Sequence, residues 1–134
     1  MGLDSLNMLA IFLAAVAKFI LGGLWYSPFL FGKVWMKEVG LSPETLSDPT
    51  REMILAGGVC VVFALSLAVI IAAANLDFTG SLVMGLIVGI GLLAANSSLS
   101  FAFEGRSFRL YMIYAGQYLC ESVLAAGIIG YFQS

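Results

Sequence analysis

Apolar residues run along this chain in four long blocks separated by short polar breaks. A helix needs roughly 20 mainly apolar residues to cross a bilayer. Four such spans are predicted, at about 3–27, 52–75, 80–102 and 108–132. Short connections make adjacent spans antiparallel. The predicted fold is therefore an all-α membrane protein: an up-and-down four-transmembrane-helix bundle forming one domain over 1–134, with the longest connection at 28–51.

That connection has its own pattern. Pro28 lacks a backbone N–H and should end or bend the first helix. Beyond it, Phe31, Val34 and Trp35 share one helical face, while Lys33, Lys37 and Glu38 fall near the other. This is the signature of a short interfacial helix lying along the membrane surface after the first span. Trp25, Tyr26 and Trp35 fit an aromatic belt at headgroup level. Ser42-Pro43-Glu44 and Asp48-Pro49 both read as helix starts, the second opening the second span. Residues 75–80 read as a tight turn. In the third span Gly85 and Gly89, with Ser81 a turn earlier, form a small-residue face, and Gly91 with Ala95 forms another. Such faces let helices approach closely and suggest a possible homo-oligomer.

Composition agrees with the pattern. Hydrophobic residues make up 61% of the chain and charged residues 10%, and the mean hydropathy is +1.03. A soluble domain of this size needs a charged surface that this sequence lacks. Lys33, Lys37, Arg51, Arg106 and Arg109 all fall on the side reached after the first span, and the opposite side has no Lys or Arg. The positive-inside rule puts those five in the cytoplasm and both termini outside it, in a multi-pass protein of the cell (inner) membrane. Ala15-Val16-Ala17 resembles a cleavage site, but Asp4 precedes the apolar run with no Lys or Arg, so an uncleaved anchor is expected. The net charge of −2 implies no particular partner beyond the lipid bilayer, and no nucleic acid.

Histidine is absent, and no nucleophile–base pair or metal-ligand spacing is visible. The expectation is no enzyme, no cofactor and no metal site. Cys60 and Cys120 sit among apolar residues and read as packing residues rather than a disulfide. What stands out is Lys18 and Glu121, charges inside predicted spans, where each is costly and tends to face the bundle interior. Counting about 1.5 Å per residue from the cytoplasmic boundary puts Asn96 about 9 Å deep, Lys18 and Gln117 about 13 Å, and Glu121 about 19 Å. Lys18 stacks with Ala14 and Gly22 on a small-residue face. Tyr114, Gln117, Tyr118 and Glu121 form one stripe of the fourth span. The predicted intramembrane polar site is Lys18, Asn96, Gln117 and Glu121, with Tyr114 at the cytoplasmic approach. It reads either as a polar cavity for an ion or small ligand, or as a buried network that fixes helix register. The corresponding functions are a small transporter-like or ligand-binding bundle, or a structural protein that self-associates or serves in a membrane complex.

The string from Leu21 to Met36, containing Trp25-Tyr26-Ser27-Pro28 and then Gly32-Lys33-Val34-Trp35, resembles the signature of the domain-of-unknown-function 1761 family. Glu104-Gly105-Arg106, followed by an aromatic-rich last span, is similar to that family's C-terminal half. The resemblance implies a four-span prokaryotic-type membrane protein and no particular activity. Two short strings, Gly32-Lys33-Val34-Trp35 and Gly105-Arg106-Ser107-Phe108, occupy matching positions in the two halves and suggest a trace of duplication.

Overall fold

The structure, a computed structural model, describes residues 6–42, 44 and 48–133, and among these there is helix and no strand. Among the described residues four helices are long and apolar enough to cross a membrane: Met8–Trp25, Thr50–Ala73, Phe78–Glu104 and Phe108–Gln133. A shorter connecting helix, Gly32–Val39, follows the first span. The cap expected at Ser42-Pro43-Glu44 turns on Pro43, which lies outside the described residues.

Polar side chains set the helix starts. The Asn7 side chain accepts from Ala10 N at 3.1 Å and opens the first span. Asp48 accepts from both the hydroxyl and the N–H of Thr50, at 2.7 and 3.1 Å, where the second span begins. These bonds favour the ionised form and hold the Asp48 carboxyl below its usual range. Their contribution is therefore present above the unfolded-state value and is lost as pH falls through the lowered one. Asp77 accepts from Gly80 N at 2.7 Å and caps the third span. Asn75, with φ of 56°, supplies the left-handed residue that ends the second.

The fourth span is the hub. It packs against the first, second and third spans and against the connecting helix, while the second and third spans scarcely touch each other. Small residues explain this arrangement. A Cβ on Gly85 would lie 2.8 Å from the Ser122 carbonyl and Val123 Cα, and one on Gly89 would lie 2.8 Å from Leu119 Cα. The backbones of the third and fourth spans are thus in direct contact, which only small residues permit. The Gly85–Gly89 face, expected as a route to self-association, is occupied within the chain. Around it the core is built from Ala14, Ala64, Leu67, Ile71, Ala125 and Ile129, all buried.

The third span is not a uniform α-helix. Residues Ile87–Ala94 form a π-helical segment, and the Tyr111 hydroxyl donates to Ala94 O at its end, at 2.6 Å. Wider turns shift the register of everything that follows. The buried positions Ser81, Gly85 and Gly89 come at steps of four, but the next is Ala94 and then Phe101. Asn96 and Ser100 would continue the Gly85–Gly89 face in a regular helix. Here both are exposed.

The suggested duplication finds no support in local structure. Gly105 ends the third span in the left-handed conformation, with φ of 67° and Arg106 N bonded to Phe101 O at 3.0 Å, a glycine cap. Gly32 instead begins the connecting helix.

Candidate functional site

The first and fourth spans bring Lys18 and Glu121 together. Lys18 Nζ lies 2.6 Å from Glu121 Oε1, with Glu121 almost fully buried and the Lys18 side chain 15% exposed. The second carboxylate oxygen accepts from Gln117 Nε2 at 3.0 Å. The Tyr26 hydroxyl donates in turn to Gln117 Oε1. Four side chains thus form one chain of donors and acceptors. The Lys18 ammonium also sits 5.1 Å from the centre of the Phe63 ring, a cation–π contact. Gly22 makes room for this arrangement, since a Cβ there would be 3.2 Å from Glu121 Oε2.

The network lines a cavity of about 520 Å³. Lys18, Gln117 and Glu121 stand at one part of its wall, and Phe19, Met53, Ala56 and Val59 supply apolar wall. Tyr26, Trp35, Pro49 and Glu52 line it at the end of the connecting segment. On the other side of the ion pair a smaller cavity of about 170 Å³ is lined by Lys18, Tyr118, Glu121 and Ser122, with Val59, Phe63 and Leu93. The Ser122 hydroxyl is buried without a hydrogen-bond partner among the described residues. A larger groove of about 740 Å³ follows the outer side of the second span, from Ile54 to Ser66. It has no charged residue in its wall and suits acyl chains better than a specific ligand.

The aromatic motif roofs the main cavity. After the first span the chain turns back on itself: Phe31 N bonds Trp25 O at 3.0 Å and Gly32 N bonds Ser27 O at 2.9 Å. The Ser27 hydroxyl donates to Leu24 O at 2.7 Å. Trp25 Nε1 donates to Ile113 O at 2.9 Å, and its ring lies beside Gly116. Trp35 Nε1 donates to the Tyr114 hydroxyl at 2.9 Å. The Tyr26 ring sits between them, 5.1 Å from Trp35 and 6.1 Å from Tyr114. Glu38 extends the clamp, accepting from Ser107 Oγ and lying 3.9 Å from Arg109.

Of the residues expected at the site, Lys18, Gln117 and Glu121 converge, and Tyr114 belongs to the aromatic roof. Asn96 does not join them, because the π-helical segment turns it outward. Among the motif residues, Trp25, Tyr26, Ser27, Gly32 and Trp35 form the roof and its turn, with Pro28 inside that turn. Lys33 is exposed. Glu104 and Arg106 form a loose surface pair at 3.7 Å, and the Arg106 guanidinium stacks 4.5 Å over Phe101. Tyr26 as a donor to Gln117, Phe63 beneath Lys18, and Cys60 and Glu52 in the cavity wall were not singled out for the site in the sequence. Apolar or peripheral positions give no periodic signal of cavity lining. Both cysteines are free. Among the described residues no three His, Cys, Asp or Glu side chains are grouped to hold a metal ion.

The family described as "Protein of unknown function (DUF1761)" matches residues 9–130. The chain belongs to this family. The match takes in the turn and roof motif, the ion pair and the capped end of the third span. Neither curated proteins nor solved structures offer a significant match.

Proposed function

We propose that this family member is a small transporter-like membrane protein that binds an amphipathic cation in the cavity beneath Tyr26 and Trp35. The observation that carries this reading is the meeting of a buried, hydrogen-bonded Lys18–Glu121 pair with a cavity of about 520 Å³ whose remaining wall is largely apolar. Small-molecule sites combine apolar walls with a few convergent polar groups in this way. The sign of the ligand charge follows from the lining. Lys18 is engaged by Glu121, which leaves Glu52 as the cavity's charge without an ion-pair partner among the described residues. Tyr26 and Trp35 offer ring faces that attract a cation. A cationic head competing with Lys18 for Glu121 would couple ligand entry to rearrangement of the pair. No step of covalent chemistry is part of this reading.

The spans form an up-and-down bundle in the inner membrane, with the Lys- and Arg-bearing connections cytoplasmic and the connecting helix at the interface. In support, Lys33 and Lys37 are exposed while Gly32 and Trp35 turn towards the protein. Reporters fused after Gln133 should behave as external, and reporters inserted near Glu44 as cytoplasmic. The opposite pattern would reverse the orientation.

Gly23 provides the test of binding. It lines the cavity, and a Cβ there would meet nothing within 4 Å. Gly23→Leu starts from an unopposed Cβ, should fill cavity space beyond it, and should help the helix, since glycine is a poor helix former by about 1 kcal/mol. Tetraphenylphosphonium, a lipophilic cation, should quench tryptophan emission of the purified protein saturably, and Gly23→Leu should abolish this with thermal stability kept. Equal behaviour of the two proteins would remove the cavity from consideration. The second reading, a polar network that holds helix register, would then stand, favoured by the way Lys18, Glu121, Gln117 and Tyr26 satisfy one another.

A further inference from the structure

The outward face of the third span presents a problem that the fold of one chain does not solve. Asn96 is exposed and has no hydrogen-bond partner among the described residues, although it lies about 9 Å inside the apolar span by helical rise. The hydrocarbon of a bilayer offers neither donors nor acceptors to an amide. The residues around it are arranged in a specific way. Leu92, Asn96, Leu99 and Phe103 follow one another at steps of four, three and four, and the three apolar members are 58%, 60% and 89% exposed. This is the spacing of a coiled-coil seam, with the asparagine at one of its core positions. Beside the seam Gly91 has open space where a Cβ would stand, and Ala95 and Ser100 are small and exposed. A neighbouring backbone can therefore approach closely.

We infer that this seam pairs two copies of the chain in parallel, with Asn96 bonded to Asn96 across a twofold axis normal to the membrane. Three features select a second copy over another occupant. Copies inserted in one orientation carry Asn96 at one depth, so the two amides meet without adjustment. An amide is both donor and acceptor, so the pair is self-complementary in the way an isologous interface demands. A lipid headgroup does not reach this depth. The π-helical segment gives the interface its origin: it turns Asn96 out of the bundle, while Ser81, Gly85 and Gly89 stay packed on the fourth span. The dimer face is separate from the cavity beneath Tyr26 and Trp35, and the inference holds whether or not that cavity binds a ligand.

The experiment uses the full chain in liposomes. Energy transfer between donor- and acceptor-labelled copies is followed as lipid dilutes the protein. The native chain should associate, and Asn96→Leu should weaken association about tenfold, the scale of one interhelical amide contact in a membrane, with its melting temperature in detergent unchanged. In a background with Cys60→Ala and Cys120→Ala, oxidation should cross-link Asn96→Cys into a dimer. Val62→Cys, at a position 64% exposed on the second span, should stay monomeric. Absence of energy transfer at every dilution, equal cross-linking at both positions, or undiminished association of Asn96→Leu would each overturn the proposal. So would association that requires a second, different protein.

Discussion

Replacing Glu121 with glutamine should cost this protein about 3–5 kcal/mol of stability, the range for removing one partner of a buried ion pair. The loss arises from what remains. Lys18 Nζ now lies 2.6 Å from a carboxylate that is almost fully buried. Without that charge the ammonium stays in a low-dielectric site against the Phe63 ring, with a neutral amide in place of the carboxylate. Lys18→Met strands the carboxylate in the same way, although Gln117 still donates to it. The double variant, Lys18→Met with Glu121→Gln, leaves no unpaired charge. It should recover a substantial part of either single loss. Thermal denaturation of the four proteins in one detergent closes the cycle. Losses that simply add would show that the two residues do not interact, and the pair would no longer explain why a lysine and a glutamate persist inside apolar spans.

The inward placement of both residues was legible in the sequence because each lies in regular helix, whereas their direct contact was not. Spacing placed Lys18 with Ala14 and Gly22, and Glu121 with Gln117 and Tyr114, and counting along each helix gave compatible depths. Asn96 departs from this pattern because the third span does not keep one period from end to end: the Ile87–Ala94 segment widens the turn and moves the inward face. Nothing in that run of Ile, Val, Gly, Leu and Ala announces the change, because every residue in it is compatible with either helix. The spans themselves needed only length and apolar content. The order of packing needed more: short connections suggested that each span would lie beside the next, yet the glycines of the third span draw it onto the fourth and away from the second. The roof over the cavity was visible as a motif without a geometry. Trp25-Tyr26-Ser27-Pro28 reads as a helix end with aromatic anchors. Only the structure shows that its backbone folds against Gly32 and that Trp35 returns to Tyr114.

That folding back makes Gly32 the position with the second large expected effect. Gly32 is buried, and its backbone lies against the turn that precedes it. A Cβ there would stand 2.7 Å from Ser27 O and 2.8 Å from Ser27 C, with the Tyr26 carbonyl nearer still. These are backbone atoms held by the bonds from Phe31 N to Trp25 O and from Gly32 N to Ser27 O, so no side chain can yield. Gly32→Ala should therefore open the turn, at a cost of about 1–3 kcal/mol or more, the usual range for overfilling a packed site. The connecting helix begins at this residue, and its displacement should carry Trp35 away from Tyr26 and Tyr114. The variant should melt earlier than the native protein and show altered tryptophan emission. Gly23→Ala is the matched control, since its Cβ meets nothing within 4 Å; it should melt no earlier than the native protein, alanine being the better helix former, and keep native tryptophan emission. Native stability and native emission in Gly32→Ala would mean that the turn tolerates a side chain, and that glycine at this position serves something other than the close approach of two backbone segments.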